Sequence, residues 1–330
     1  MSEITRQSIW FLGIILLSFG HGVKGRRTSL GYKNAAQTIH SLGDVFDRID
    51  IYKQPAFDHP LLKNHTIQMR PSWYPKEASA EPKISREESV VSSVRNKFEE
   101  CPKGTIPIYF YRAIQKSSVW IPQLEIPIEL SAVSTGLINS AGTEMVGVGW
   151  IVHPSFCGDS LTRLFISWMI VGSQDTGCYN FLCPGFIQTN PMAGLGAIIA
   201  TVSVIGGQVY HVNSNIRDVN TGNRWFIFQG FPIDYWPESI FTNFNVHRTV
   251  VWTGQVLITN SYGYHTSTQM GNGLFRVELQ DAAYFKNLQV VDIDGKWPRP
   301  IGIVAFQDNN GCLDTREIKF SMTTGFNFGG

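Results

Sequence analysis

Gln255 is where the chemistry of this sequence has to be sought. It lies in T-V-V-W-T-G-Q-V, residues 249–256, which alternates like a strand. That period sets Val251, Thr253 and Gln255 on one face and Trp252, Gly254 and Val256 on the other. A carboxylate at 255 could act as an acid or a base; a carboxamide neither takes nor gives a proton at ordinary pH. Other candidates carry less. Cys157 and His153 are a thiol and an imidazole four positions apart, but closeness in sequence is not pairing in space. G-L-G-A-I-I, residues 194–199, has half of a dinucleotide loop and lacks the third glycine and the βαβ unit around it. There is no G-x-S-x-G elbow, no H-E-x-x-H helix and no phosphate-cradling G-x-x-x-x-G-K. The eight histidines are scattered, and no set of side chains has metal-ligand spacing. No cofactor or metal is expected.

The elements that position these residues read as strands. Charged residues are 16% of the 330-residue chain, aromatics 12%, with 31 glycines and 16 prolines. That balance favours strands and turns over helices. The net charge is +1 without a basic stripe, so nucleic acid is not an expected partner. L-F-I-S-W-M-I-V (164–171) is a buried strand. G-Q-V-Y-H-V-N-S-N-I-R-D and R-W-F-I-F-Q-G flank V-N-T-G-N, a hairpin turn. G-L-F-R-V-E-L (273–279) is a further strand, and W-P-E-S-I-F a short helix with Pro237 at its first position. The expected class is all-β, an antiparallel β-sandwich.

Three spans are expected along the chain: a signal peptide over 1–25, a prosegment and linker over 26–100, and the β domain over 101–330. Arg6 precedes the apolar run I-W-F-L-G-I-I-L-L-S-F (9–19), the length of a signal-peptide core, with cleavage near Gly22 or Gly25. A secreted, extracellular protein follows. Asn64-His65-Thr66 is a glycosylation sequon compatible with that route, at Asn64. Cys178 and Cys183 bracket a short Pro- and Gly-followed loop and are expected to form a disulfide. Residues 50–66, with two prolines and scattered apolar residues, suit an extended segment lying across another surface; 72–100 are polar and suit an exposed linker.

Longer words are more specific. D-I-Y-K-Q-P-A-F-D-H-P-L-L-K-N-H-T resembles the activation-peptide motif of the neprosin family. G-D-S-L-T-R-L-F-I-S-W, T-G-C-Y-N-F-L-C-P-G-F-I-Q-T, D-Y-W-P-E-S-I-F, H-T-S-T-Q-M-G-N-G and Y-F-K-N-L-Q-V-V-D resemble its peptidase domain, in the family's order, over most of residues 45–330. The resemblance implies a secreted proform with an antiparallel β-sandwich and no metal or cofactor. It implies a glutamic endopeptidase that cleaves after proline in acid, through two glutamates facing each other across a concave sheet. One family glutamate precedes a Gly-Trp pair by two residues, and the matching stretch V-G-V-G-W puts Gly147 there. The other ends a pattern like V-E-W-G-G-E, and V-V-W-T-G-Q puts Gln255 there. Both positions lack a carboxylate. Glu144 is the nearest acid, but three residues of strand turn it to the other face unless a bulge intervenes.

Other departures accompany this one. Pro102 to Trp150 is short of the family's length by about forty residues, one or two strands that residues 106–135 would have to replace. Arg48 stands where the family has a cysteine that would pair with Cys101, and Cys157 and Cys312 also lack evident partners. The expected function is that of a neprosin-like pseudopeptidase, catalytically impaired, that binds proline-containing peptides or its own prosegment. The alternatives are an active prolyl endopeptidase using Gln255 with another base, and a non-enzymatic β-sandwich that binds peptides or glycans. A product that folds poorly is a further one.

Overall fold

A computed structural model of the chain describes residues 35–41, 44–72, 105–109, 117–170, 178–190, 194–212, 214–217, 221–228, 231–244, 248–259, 266–274, 282–288, 290, 303–307, 314–319 and 324–330. Its strands form antiparallel sheets, and the α-helical element among the described residues is a single turn, Pro154–Cys157. The all-β expectation holds. No helix among the described residues is long and apolar enough to cross a membrane.

The largest sheet has five strands: β4 (Leu130–Asn139), β5 (Glu144–Val152), β6 (Arg163–Ile170), β7 (Cys178–Tyr179) and β12 (Arg248–Leu257), in the order β12-β4-β5-β6-β7. Each long strand is rich in β-branched and aromatic residues that pack on a pleated surface. The register runs without a break from Val251 to Gly136, Gly147, Ser167 and Tyr179. The opposite faces of β5 and β6 carry Val146, Val148, Trp150, Leu164, Ile166 and Trp168, all buried in the main core.

A second sheet orders β8 (Ile187–Gln188), β11 (Phe231–Trp236), β10 (Arg224–Phe228) and β9 (Ser214–Arg217) as β8-β11-β10-β9. The expected hairpin is here, with Trp225 opposite Arg217, although only Ser214–Arg217 of its first arm is strand. At the turn, Gly222 has φ +73°, and a Cβ there would stand 2.3 Å from the Glu238 carboxyl carbon, so glycine is required. W-P-E-S-I-F closes into a 3-10 turn, Glu238–Ile240, with Pro237 capping it rather than opening a helix. A third sheet joins β13 (Ala283–Phe285), β15 (Thr324–Gly329) and β14 (Asp314–Lys319). Gly273 and Leu274 lie outside any strand, and residues 275–279 of that expected strand lie outside the described residues.

The N-terminal segment differs most from expectation. β1 (Ala35–Ser41), β2 (Asp44–Asp50) and β3 (Thr105–Tyr109) make a three-stranded sheet, so part of 106–135 pairs with the segment; β4 takes another part. Between β2 and residue 63 the chain is wound into three 3-10 turns, Ile51–Lys53, Pro55–Asp58 and Pro60–Leu62, rather than extended. Pro55 and Pro60 open the second and third turns, where their fixed φ is already helical and no N–H is needed. Asp50 and His59 side chains accept from Tyr52 and Leu61 N–H groups at the turn starts. The segment's own apolar cluster is small, Ile49 and Ile51 with Ile67 against them, and Ala56 and Leu62 are buried within the domain's main core.

Candidate functional site

The face of the five-stranded sheet that carries Gln255 forms a groove partly open to solvent. Strand alternation brings Val251, Thr253 and Gln255 of β12 to it with Ser134 and Gly136 of β4, and Gly147 of β5. Its floor is bare: Gly136 and Gly147 are cross-strand partners, and Ser167 of β6 is next in the row. Ile138, Met145, Phe165 and Tyr179 supply apolar walls. Gly147 and Gln255 thus line one groove, but not in register. Ala132 pairs with both Gln255 and Ile151, and Ile151 lies four residues beyond Gly147, roughly 13 Å along the strand. A ligand touching both positions has to lie diagonally across β4.

Every group on the lining is unsuited to take a proton from water. Among the described residues that line it, none is a carboxylate or an imidazole. Burial pushes the Tyr179 phenol above its ordinary range, so it stays protonated. The hydroxyls of Ser134, Ser167 and Thr253 and the Gln255 amide can donate and accept hydrogen bonds. The site can therefore hold and polarise a peptide carbonyl, but it offers no base.

Glu144 does not supply one. No register shift interrupts β5 between β4 and β6, so Glu144 faces away from Gly147. Its buried carboxylate accepts from the Thr242 N–H and hydroxyl at 2.6 and 2.7 Å and from the Asn243 N–H at 3.0 Å. Glu129, just before β4, is similarly engaged by the hydroxyls of Thr259, Thr266 and Thr268. Both acids pin loops.

Two glycines on β5 differ in what they permit. A Cβ on Gly149 would stand 1.8 Å from the Val133 carbonyl oxygen, which is fixed backbone. A Cβ on Gly147 would meet only the Ser167 Oγ at 2.9 Å, the end of a side chain that can rotate away. A side chain fits at 147.

Cys178 and Cys183 form the expected disulfide, with Cα atoms 5.9 Å apart. The loop they close carries Tyr179 into the groove and Phe181 toward Ile49, Ile51 and Ile67 of the N-terminal segment. Cys157 is buried, and the His153 ring stacks on Phe156 with centroids 5.7 Å apart. Burial holds that imidazole down to about 4, against an opposing hydrogen bond with the Ile128 backbone. Neither residue lines the groove. Asn64 and Thr66 are both exposed. Cys101 and Cys312 lie outside the described residues, whereas Arg48 is buried on β2 opposite Pro107. Among the described residues no group of three or more His, Cys, Asp or Glu could hold a metal ion.

Reading the sequence singled out two of the groove residues and missed Ser134, Gly136 and Ser167. The signal was available for Ser167, which sits in an alternating strand two residues beyond Phe165. It could not be used before the register of β5 and β6 was known. Comparison with known families gives two matches: the family model described as neprosin covers residues 128–330, more than half of the chain, and that of the neprosin activation peptide covers residues 38–116.

Proposed function

The chain belongs to the neprosin family, and we propose that this member holds peptides in its groove without cutting them efficiently. One observation carries the reading: among the described residues, no acid or base lines the groove that Gly147 and Gln255 share. Hydrolysis of a peptide bond needs water activated by a base and charge stabilised on the carbonyl oxygen. Gln255 can donate an N–H to that oxygen; nothing on the lining can take the proton from water. Loss of one positioned base costs ~10²- to 10⁴-fold in rate. The expected ligand is an extended, uncharged, proline-containing peptide, because the walls are apolar and the polar groups neutral. Secretion, and glycosylation at the exposed Asn64, belong to the same proposal.

The test is hydrolysis of a quenched proline-containing peptide across acidic pH by the purified full chain, beside Gly147→Glu combined with Gln255→Glu. Ser167 can rotate to admit the new side chain at 147. Activity in the double variant alone supports the reading. Activity in the wild-type protein overturns it and points to a base outside the lining. Peptide binding has its own readout: a proline-containing peptide at high concentration should raise the melting temperature of the wild-type protein, and no rise removes the binding claim.

A further inference from the structure

The N-terminal segment is seated on the second sheet by contacts that are polar, buried and specific. Gln54, 2% exposed, places its carboxamide against the outer edge of β8. Its Nε2 donates to the Gln188 carbonyl at 3.0 Å and to the Ile51 carbonyl at 2.8 Å, and its Oε1 accepts from the Gln188 N–H at 2.7 Å. The Tyr235 hydroxyl accepts from the Gln68 N–H at 2.9 Å and lies 2.8 Å from His65 Nε2. With one lone pair used by Gln68, the hydroxyl hydrogen is available to a neutral His65 acceptor. Gln68 Oε1 accepts from Thr221 and Asn223 at the β9–β10 turn. Leu62, fully buried, belongs to the domain's own core.

We propose that this segment is a resident subunit: it stays docked without a covalent link after the chain between it and the domain is cut. Three observations carry this. Removal would take from the Gln188 N–H and C=O and from the Tyr235 hydroxyl the hydrogen-bond partners that the segment supplies. It would also open the main core at Leu62 and Ala56. Finally β3, within the span matched by the activation peptide, pairs with β2, so the segment's sheet is complete without any domain strand. None of the described seat residues lines the groove. The inference is independent of what the groove does to a peptide.

The experiment is to insert a site-specific protease sequence between Ala113 and Ile114, after β3 and near the end of the span matched by the activation peptide, and cut the purified full chain at neutral pH. Size-exclusion chromatography at low micromolar concentration should return both fragments together in equal amounts. Gln54→Ala and the more exposed Gln68→Ala, each in the cut protein, should raise the dissociation constant about tenfold or more. Separate elution of the wild-type fragments, or precipitation of the domain on cutting, would overturn the proposal. So would a cut Gln54→Ala protein that holds its segment as tightly as wild type.

Discussion

The groove and the seat are two surfaces of one chain, and they are furnished in opposite ways. At the groove, neighbouring positions 136 and 147 are both glycine, and Gln255 is an amide where catalysis would want an acid. At the seat, Gln54, His65 and Gln68 meet Gln188, Tyr235 and Asn223 with donors facing acceptors. On the reading proposed above, impairment is local: the described groove lining offers no base, while the sheet beneath it stays in register and the contacts that hold the N-terminal segment are in place.

The largest effect should separate the two glycines of β5, Gly147 in the groove and Gly149 beyond it. Gly149→Ala drives a Cβ into the Val133 carbonyl and should cost about 4 kcal/mol or more, or prevent folding. Gly147→Ala should stay within about 1 kcal/mol, since only the Ser167 hydroxyl must turn. Equal denaturant midpoints for the two would show that position 147 is structural, and the contrast between an emptied groove and a furnished seat would fail. Next in size is Leu62→Ala, expected to lower global stability by about 2–5 kcal/mol. A midpoint like wild type would mean that the seat opens apart from the rest of the fold.

Acid provides the third and smallest separation. The groove lining carries no group that titrates between pH 4 and 7, so affinity for an uncharged peptide should be flat there. Burial lowers the His65 value, so the contribution of His65 to docking is complete above its ordinary 6.5 and is lost as pH falls. Flat docking from pH 7 to 4 would remove His65 from the seat's energetics. Behind the groove wall, His153 works in the same direction on the whole fold. Its value of about 4 against 6.5 means that the unfolded chain gains a proton first, and about 3 kcal/mol is lost as pH drops from 6.5 to 4. Asp234 opposes this. Burial raises it well above 3.8, while Thr189 and Asn190 N–H groups pull it down, so its contribution is greatest in acid and is lost as pH rises. Comparing His153→Gln with wild type by urea unfolding at pH 7 and 4 cancels the Asp234 term. The variant should gain about 3 kcal/mol relative to wild type at the lower pH.

What could be read from the sequence was whatever repeats over short distances. The two-residue period of β12 put Val251, Thr253 and Gln255 on one face, and turn chemistry marked the β9–β10 hairpin and the Cys178–Cys183 loop. The activation and peptidase words marked the family. What could not be read was pairing across the chain. Gln54 and Gln188 are 134 residues apart, and nothing local announces that one closes the edge of the other's strand. The bare row of Gly136 and Gly147 exists only once β4 and β5 are aligned. The two prolines of residues 50–66 suggest an extended chain, and the segment winds instead. At the first position of a 3-10 turn they are starters.

The carboxamide of Gln54 is chemically a peptide group carried on a side chain, and at β8 it takes the place that a neighbouring strand's backbone would fill. It satisfies the N–H and C=O of Gln188 and, having no chain beyond it, ends the ladder there. An open strand edge is a template for any extended backbone, including that of another copy. The same contact that seats the segment therefore keeps the second sheet from growing into its neighbours, and a chain stripped of its segment would be prone to self-association through β8.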